Sequence, residues 1–311
     1  MSRFPFPVPF GWFHVGYADA LAVGEVSQVR YFGRDLVLWR DEAGAAHLQD
    51  LYCPHLGANL AVGGKVRGEL LECPFHHWRF DGSGAVREID YARRLNDKAC
   101  LTTYPIKEYY GVLMAWYHPQ GEPPLWQLPE IPECADAAWK GPLSRPHRIG
   151  TCLQEMAENT ADSAHFQTIH QHPGEASYDE FTLEGPAMIM RSRQLFPSSR
   201  GPVEGTLNTD SLGFGWSVVR YSTLVDICMV TTNVPIDSET SEQHNHVWYH
   251  NPDNDPKIDR IAMAFVEEVN RQLGEDIPIW ENKRYLAEPR LCDGDGPIAK
   301  FRRWAGQFYA A

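Results

Sequence analysis

Two stretches of contrasting periodicity predict a two-domain α+β protein: a small all-β domain, then a domain with an antiparallel sheet covered by helices. From about Gly11 to His118, short runs rich in Val, Leu, Tyr and Trp alternate at period two and are broken by Gly-, Asp- or Asn-containing turns. From Leu153 onward helix-like and strand-like text is mixed, the pattern of a sheet with helices against it. A chain of 311 residues, 43% hydrophobic, can bury more than one core. The expected domains are 1–135, including a connector, and 136–311.

In chain order, the first domain offers strands in VSQVRYF, LVLWRD, AHLQDLY, ELLECPF and LTTYPIKEYYGVLMAWYH. Between Pro119 and His147, prolines at 123, 124, 129, 132, 142 and 146 fix φ and remove N–H donors, so this stretch reads as a connector or irregular wrap holding the boundary. A helix is expected in LQEMAENTADSAHF, strands in MIMRSRQLF and WSVVRYSTLVDICMVTTNVP, and a second helix in KIDRIAMAFVEEVNRQL. In that helix Ile261, Phe265, Val269 and Leu273 recur at four-residue steps and form one apolar face.

The formal charge of -13, from 28 basic and 41 acidic residues, disfavours nucleic acid as a partner and admits a basic protein. MSRFPFPVPFGWF lacks an uninterrupted apolar run and makes a poor signal peptide. No stretch approaches the ~18 apolar residues of a transmembrane span. The seven cysteines, at 53, 73, 100, 134, 152, 228 and 292, are odd in number and irregularly spaced. That argues against a disulfide framework and for a reducing, cytoplasmic setting.

The first chemical constellation is Cys53, His55, Cys73 and His76: C-x-H, 17 intervening residues, then C-x-x-H. Thiolates and imidazoles on two short loops can converge on a metal. Zinc would accept this donor set, but it gives no reason for two such similar loops with glycine and aromatic flanks. A [2Fe-2S] cluster with one iron on two cysteines and the other on two histidines requires paired loops of this kind. Pro54 and Pro74 restrict the loops, while Gly57, Gly63, Gly64, Gly82 and Gly84 permit tight turns. His77 stands directly beside His76 and leaves open which imidazole serves.

The second constellation lies in AENTADSAHFQTIHQH, where Asp162, His165 and His170 form D-x-x-H-x-x-x-x-H. Asp162 and His165 fall near one helical face. His165 and His170 are five apart, about 140° around a regular helix, so both reach one metal only if the helix ends or distorts near Gln167 to His170. Pro173 and Gly174 supply a nearby stop. Two histidines and a carboxylate make the facial triad of a ferrous site that keeps positions open for O2. Spacing leaves the carboxylate undecided: Asp162 also suits a role behind a ligating histidine, and GEDIPIW offers Glu275 and Asp276.

CPHLGANL and CPFHHWRFDGSG resemble the paired cluster loops of the Rieske proteins, and the text before them is similar to the N-terminal domain of Rieske non-haem iron oxygenases. The resemblance implies a [2Fe-2S] cluster on Cys53, His55, Cys73 and His76, with His77 where the family usually has glycine or a small polar residue. It implies mononuclear Fe(II) on His165, His170 and Asp276, with Glu275 as the fallback, and Asp162 as a bridge toward His76 of a neighbouring subunit. Asn159 lies near that iron or only caps or solvates the helix. His172 does not have the family's spacing. A head-to-tail homotrimer follows from the same resemblance.

No G-x-G-x-x-G follows a strand, so NAD(P)H chemistry is expected in a separate reductase or ferredoxin, with this chain as the terminal oxygenase. Met188, Met190, Phe196, Phe214, Trp216, Met229 and Val230 are available for a pocket or for an ordinary core. The ending EDIPIWENKRYLAEPRLCDGDGPIAKFRRWAGQFY resembles the steroid- and sterol-acting subgroup, the 3-ketosteroid 9α-hydroxylase oxygenases and cholesterol 7-desaturases. This implies hydroxylation or desaturation of a hydrophobic multi-ring lipid. The alternatives are oxygenation or demethylation of a smaller ring, and a Rieske electron carrier, which would leave the second domain without a task.

Overall fold

The computed structural model describes residues 2–173, 177–196 and 201–310. Two compact units emerge: Trp12–Leu125, and a larger one that joins the segment before Trp12 to Trp126–Ala311. The N-terminal segment attaches to the larger unit through backbone and ring contacts: Phe10 N donates to Phe308 O, and Phe6 stacks on Tyr309.

The smaller unit is all β. Its strands are β1 (Gly11–Tyr17), β2 (Val26–Tyr31), β3 (Arg34–Arg40), β4 (Ala46–Asp50), β5 (Lys65–Arg67), β6 (Leu70–Glu72), β7 (Arg79–Phe80), β8 (Val86–Glu88), β9 (Thr103–Tyr104), β10 (Ile106–Tyr109) and β11 (Val112–Tyr117). They form three sheets, ordered β1-β11-β10, β2-β3-β4-β9 and β5-β6-β7-β8. Trp39, Leu51, Leu60, Leu71 and Phe80 make a core under the segments that follow β4 and β6, with Cys53 and Cys73 among its buried residues. That core fixes where both loops begin.

The larger unit holds α1 (Pro132–Ala135), β12 (Trp139–Ile149), α2 (Leu153–Glu158), α3 (Ala164–Thr168), β13 (Ser177–Glu184), β14 (Ala187–Phe196), β15 (Val203–Leu212), β16 (Trp216–Ser222), β17 (Asp226–Pro235), β18 (Ser241–His250), α4 (Pro256–Asn282) and α5 (Ile298–Ala305). Its seven-stranded sheet runs β12-β18-β17-β16-β15-β14-β13, and every pairing is antiparallel. The expected apolar face of α4 is real: Ile261, Phe265 and Val269 pack on a sheet core that includes Met190, Leu207 and Met229, and Leu273 is buried.

Three local expectations change. The proline-rich stretch before His147 is not all connector, because its end is strand β12. Pro142 and Pro146 are tolerated there since β12 lies at the sheet edge, paired only with β18, with an irregularity between Lys140 and Leu143. The expected helix over LQEMAENTADSAHF is broken: α2 runs into a 3-10 turn at Asn159–Ala161, and Asp162 is extended before α3 starts. Conversely GEDIPIW is no separate element, since α4 continues through it despite Pro278, which lacks the N–H that would reach Gly274.

Candidate metal centres and substrate pocket

The loops after β4 and β6 are built alike. Gly57 N donates to Cys53 O at 2.9 Å and His77 N to Cys73 O at 3.1 Å. Cys53 N donates to Ala58 O at 2.9 Å and Cys73 N to Trp78 O at 2.8 Å. The two sulfurs are in hydrogen-bonding contact, which draws the Cys73 thiol down toward thiolate. Backbone N–H groups of His55 and Leu56 point at the Cys53 sulfur, and those of Phe75 and His76 at the Cys73 sulfur. The His55 and His76 rings lie 4.7 Å apart, with His55 stacked on Trp78. Two sulfurs, each already receiving N–H donors, beside two imidazoles are the donor set a cluster ligated by two cysteines and two histidines needs.

The same equivalence explains the doubled histidine. Gly57 has φ +75° and His77 φ +56°, each four residues after its cysteine, so the turn demands a left-handed residue there. His77 takes that conformation with its side chain 60% exposed and its Nδ1 3.3 Å from the Oε1 of buried Glu72. Glu72 also accepts from Arg79 Nε at 2.7 Å. Burial would raise the Glu72 carboxyl, but Arg79 and His77 hold it below the usual range.

In the larger unit, His165, His170 and Asp276 bring one ligand atom each within 4.8 Å of one another. The helix break makes this reachable. α3 stops at Thr168, so His170 escapes the angular penalty of a continuous helix, and the two rings stand 5.2 Å apart at 82°. Gly174, offered as a stop, lies outside the described residues. His165 Nδ1 donates to the Asp162 backbone carbonyl at 2.5 Å, leaving Nε2 for a metal. The Asp162 carboxylate accepts from Ala164 N and His165 N, at 3.1 and 3.4 Å, and so satisfies two N–H groups at the start of α3.

His170 is held from both edges: Nδ1 lies 3.0 Å from Glu275 Oε2 and Nε2 lies 3.4 Å from Asp276 Oδ2. Burial works to lower His170, but Asp276 and Glu275 outweigh it and hold the group above its ordinary value. His165 is lowered by burial. Glu275, the fallback ligand, instead backs the ring, and its other oxygen pairs with Arg271. Two imidazoles and one carboxylate converging from separate elements, each ring oriented from behind, fit a mononuclear iron.

These groups open onto a cavity of about 210 Å³ between α4 and the sheet. Met188, Met190, Phe214, Trp216 and Met229 line it, while Phe196 lines a neighbouring cavity and Val230 lines neither. Asn159 also lines it and accepts from Trp280 Nε1 at 3.3 Å. Sequence reading passed over its polar wall, which includes Thr231, Asn233, Gln243 and Asn245. The signal was the alternation in TTNVP and SEQHNH, whose alternate residues face the pocket. Thr231 Oγ1 donates to Asn245 Oδ1 at 3.0 Å, whereas the buried Asn233 Oδ1 has no hydrogen-bond partner among the described residues.

Residues 11–105 match the Rieske [2Fe-2S] domain family and residues 115–309 match the 3-ketosteroid 9α-hydroxylase C-terminal domain family. The chain therefore belongs to the Rieske oxygenases that carry this C-terminal domain, and it is an iron–sulfur and non-haem iron oxidoreductase. Its relatives include a probable 3-ketosteroid-9-alpha-monooxygenase oxygenase component of Rhodococcus rhodochrous, 32% identical over 96% of this chain and 79% of the relative. Cholesterol 7-desaturase nvd 1 of Ciona intestinalis is 30% identical over 97% of this chain and 68% of its own length. The fold is shared with NdmA of Pseudomonas putida CBB5, solved as the QL mutant with theobromine. That match has TM-score 0.75 at 18% identity and covers 98% and 89% of the two chains. Dicamba monooxygenase bound to dicamba shares it too, at TM-score 0.70 and 14% identity, with 96% of each chain covered.

Proposed function

We propose that this chain is a terminal oxygenase that takes electrons from a separate reductase or ferredoxin and uses O2 to hydroxylate or desaturate a C–H site on a steroid or sterol. The observation that carries the substrate reading is the Met- and aromatic-walled cavity opening on His165, His170 and Asp276, in a chain whose relatives named for 3-ketosteroids and cholesterol match almost its whole length.

In this reading Cys53, His55, Cys73 and His76 hold the [2Fe-2S] cluster, and His165, His170 and Asp276 hold Fe(II). When bound, these groups supply single electrons and O2 activation for attack on an unactivated C–H bond. The chain's own residues do the rest. Glu275 and the Asp162 carbonyl keep both imidazoles turned so that one nitrogen of each faces the metal position. Met188, Met190 and Met229 shape an adaptable apolar wall that excludes water. Asn233 offers a buried acceptor to a substrate donor. Asn159 braces Trp280 against the same pocket.

Asp162 is the bridge toward His76 of a neighbouring copy, which calls for a closed homotrimer. Leu56, Val62, Phe75 and Tyr91 are exposed around the cluster loops and suit docking of the electron donor. No helix among the described residues is long and apolar enough to cross a membrane, and we place the protein in the cytoplasm.

The test is aerobic incubation with a surrogate reductase and a panel of 3-ketosteroids, sterols and small substituted aromatics, with products identified by mass spectrometry. Oxidation confined to the fused-ring lipids is expected. Turnover of small aromatics alone would overturn the substrate reading.

A further inference from the structure

A second cavity, of about 500 Å³, adjoins the iron pocket along α4. Val269 and Gln272 on α4, Phe166 on α3 and the cross-strand pair Leu207 and Tyr221 wall both spaces. On one side of this seam α4 turns Leu273, Asp276 and Trp280 to the iron pocket, and on the other it turns Ile261, Phe265 and Glu268 to the second cavity. From Ile261 to Trp280 the helix advances about 28 Å at 1.5 Å per residue. The two spaces therefore lie in succession along one long trough between helix and sheet.

The iron pocket alone is small for a fused-ring lipid. Its volume is about 210 Å³, below the roughly 300–1,000 Å³ of a pocket that encloses a drug-sized ligand, and the second cavity brings the pair within that range.

The two ends differ in chemistry. Thr231, Asn233, Gln243 and Asn245 line the iron pocket and not the second cavity. Phe196, Val203, Leu224, Ile261 and Phe265 wall the second cavity, and its charged, amide and imidazole groups are engaged with their neighbours. Glu268 accepts from Arg271 and from Gln272, the Gln272 amide nitrogen lies 3.2 Å from His172 Nε2, and Gln194 hydrogen-bonds to the same imidazole. The hydroxyls of Tyr221 and Thr223 are its other polar groups. Such a wall gains by covering hydrocarbon and costs a polar occupant its water. Leu224, 61% exposed, carries the apolar lining out to the surface. None of His165, His170 and Asp276 lines this cavity, so a group lodged in it is held away from the metal position.

We propose that the second cavity is a subsite for the branched alkyl side chain of a sterol, with the ring to be oxidised placed at the iron. The subsite selects sterols that keep this side chain over steroids that have lost it. This rests on the steroid or sterol reading of the iron pocket and narrows it.

The test compares cholesterol with androst-5-en-3β-ol, which has the same ring system and 3-hydroxyl and no side chain, by equilibrium binding of the tritiated compounds to the iron-loaded protein. Wild type should hold cholesterol at least about thirtyfold more tightly, since the whole side chain leaves water. Val203→Trp fills the cavity from the sheet and Ala264→Trp from the helix, at positions that line it and not the iron pocket. Each should bring the ratio within about threefold by weakening the cholesterol complex. Ala264→Ser, which keeps the space, should retain the wild-type ratio. Equal affinities in wild type overturn the inference without any variant. So does a preference that survives in both tryptophan variants, shown to be folded by circular dichroism and to keep three irons per chain. If neither compound binds, the sterol reading falls as well; if both bind equally, only this inference does.

Discussion

Glu275 Oε2 lies 3.0 Å from His170 Nδ1, so the residue next to Asp276 turns its carboxylate onto the far edge of the imidazole that Asp276 approaches from the front. Neighbours on α4 differ by about 100° in direction, and the two acids divide the work accordingly. Glu275→Gln should keep the mononuclear iron but weaken its binding roughly 10- to 100-fold, as loss of a histidine-orienting partner does. Asp276→Ala should lose that iron outright. Iron analysis checks both, with three irons per chain expected in wild type and the cluster colour retained in each variant. Equal iron loss in the two would deny the division.

His77→Gly tests which of the adjacent histidines is the ligand. Glycine relieves a left-handed residue, worth about 1 kcal/mol. It also removes an exposed contact to Glu72 worth less than about 1 kcal/mol. Stability should change by no more than about 1 kcal/mol, and the visible spectrum of the cluster should persist. His76→Gly should abolish it.

Gly84 has φ +82°, and a Cβ there would meet Leu101 O at 2.1 Å and Thr103 Cγ2 at 2.9 Å. Backbone cannot give way as a side chain can. Gly84→Ala should cost about 3 kcal/mol in urea denaturation, the sum of strain and overpacking. Gly57→Ala, with the same hand of φ but open space around it, should cost only about 1 kcal/mol.

His246 is buried, lies 2.8 Å from Ser144 Oγ and 3.1 Å from Thr232 Oγ1, and is pushed down to about 4 by burial. The unfolded chain, titrating near about 6.5, then binds more protons than the folded one at acid pH. Its contribution is complete above pH ~6.5 and is lost as pH falls toward the folded value, by about 3 kcal/mol in all. His246→Gln should flatten the fall in unfolding free energy between pH 7 and pH 4.5. An unchanged slope would place the acid sensitivity elsewhere.

Much of the fold was legible because its signals are local. Period two marked β2, β3 and β4, and four-residue spacing marked the face of α4 that packs on the sheet. β12 was illegible for a local reason too, since Pro142 and Pro146 argue against a strand until its edge position is known. The helix break at Asp162 had a local signal that the reading passed over, since Asn159, Thr160, Asp162 and Ser163 are poor helix-interior residues that favour turns and helix starts. His172 was set aside as a ligand on spacing, and the three groups that converge are His165, His170 and Asp276.

The sequence by itself determined the chemistry on offer: two near-identical Cys/His loops, two histidines beyond an aspartate, and an acid pair near the end of a long helix. Those are covalent facts, and their spacing survives any packing. Only the tertiary structure decided how they divide. It sent Asp276 to the metal position and Glu275 behind His170, because adjacent residues on α4 point different ways. It freed His170 by ending α3 at Thr168. It set Gln194 of β14 against the ring of His172, a relationship between separate segments that no local pattern could encode.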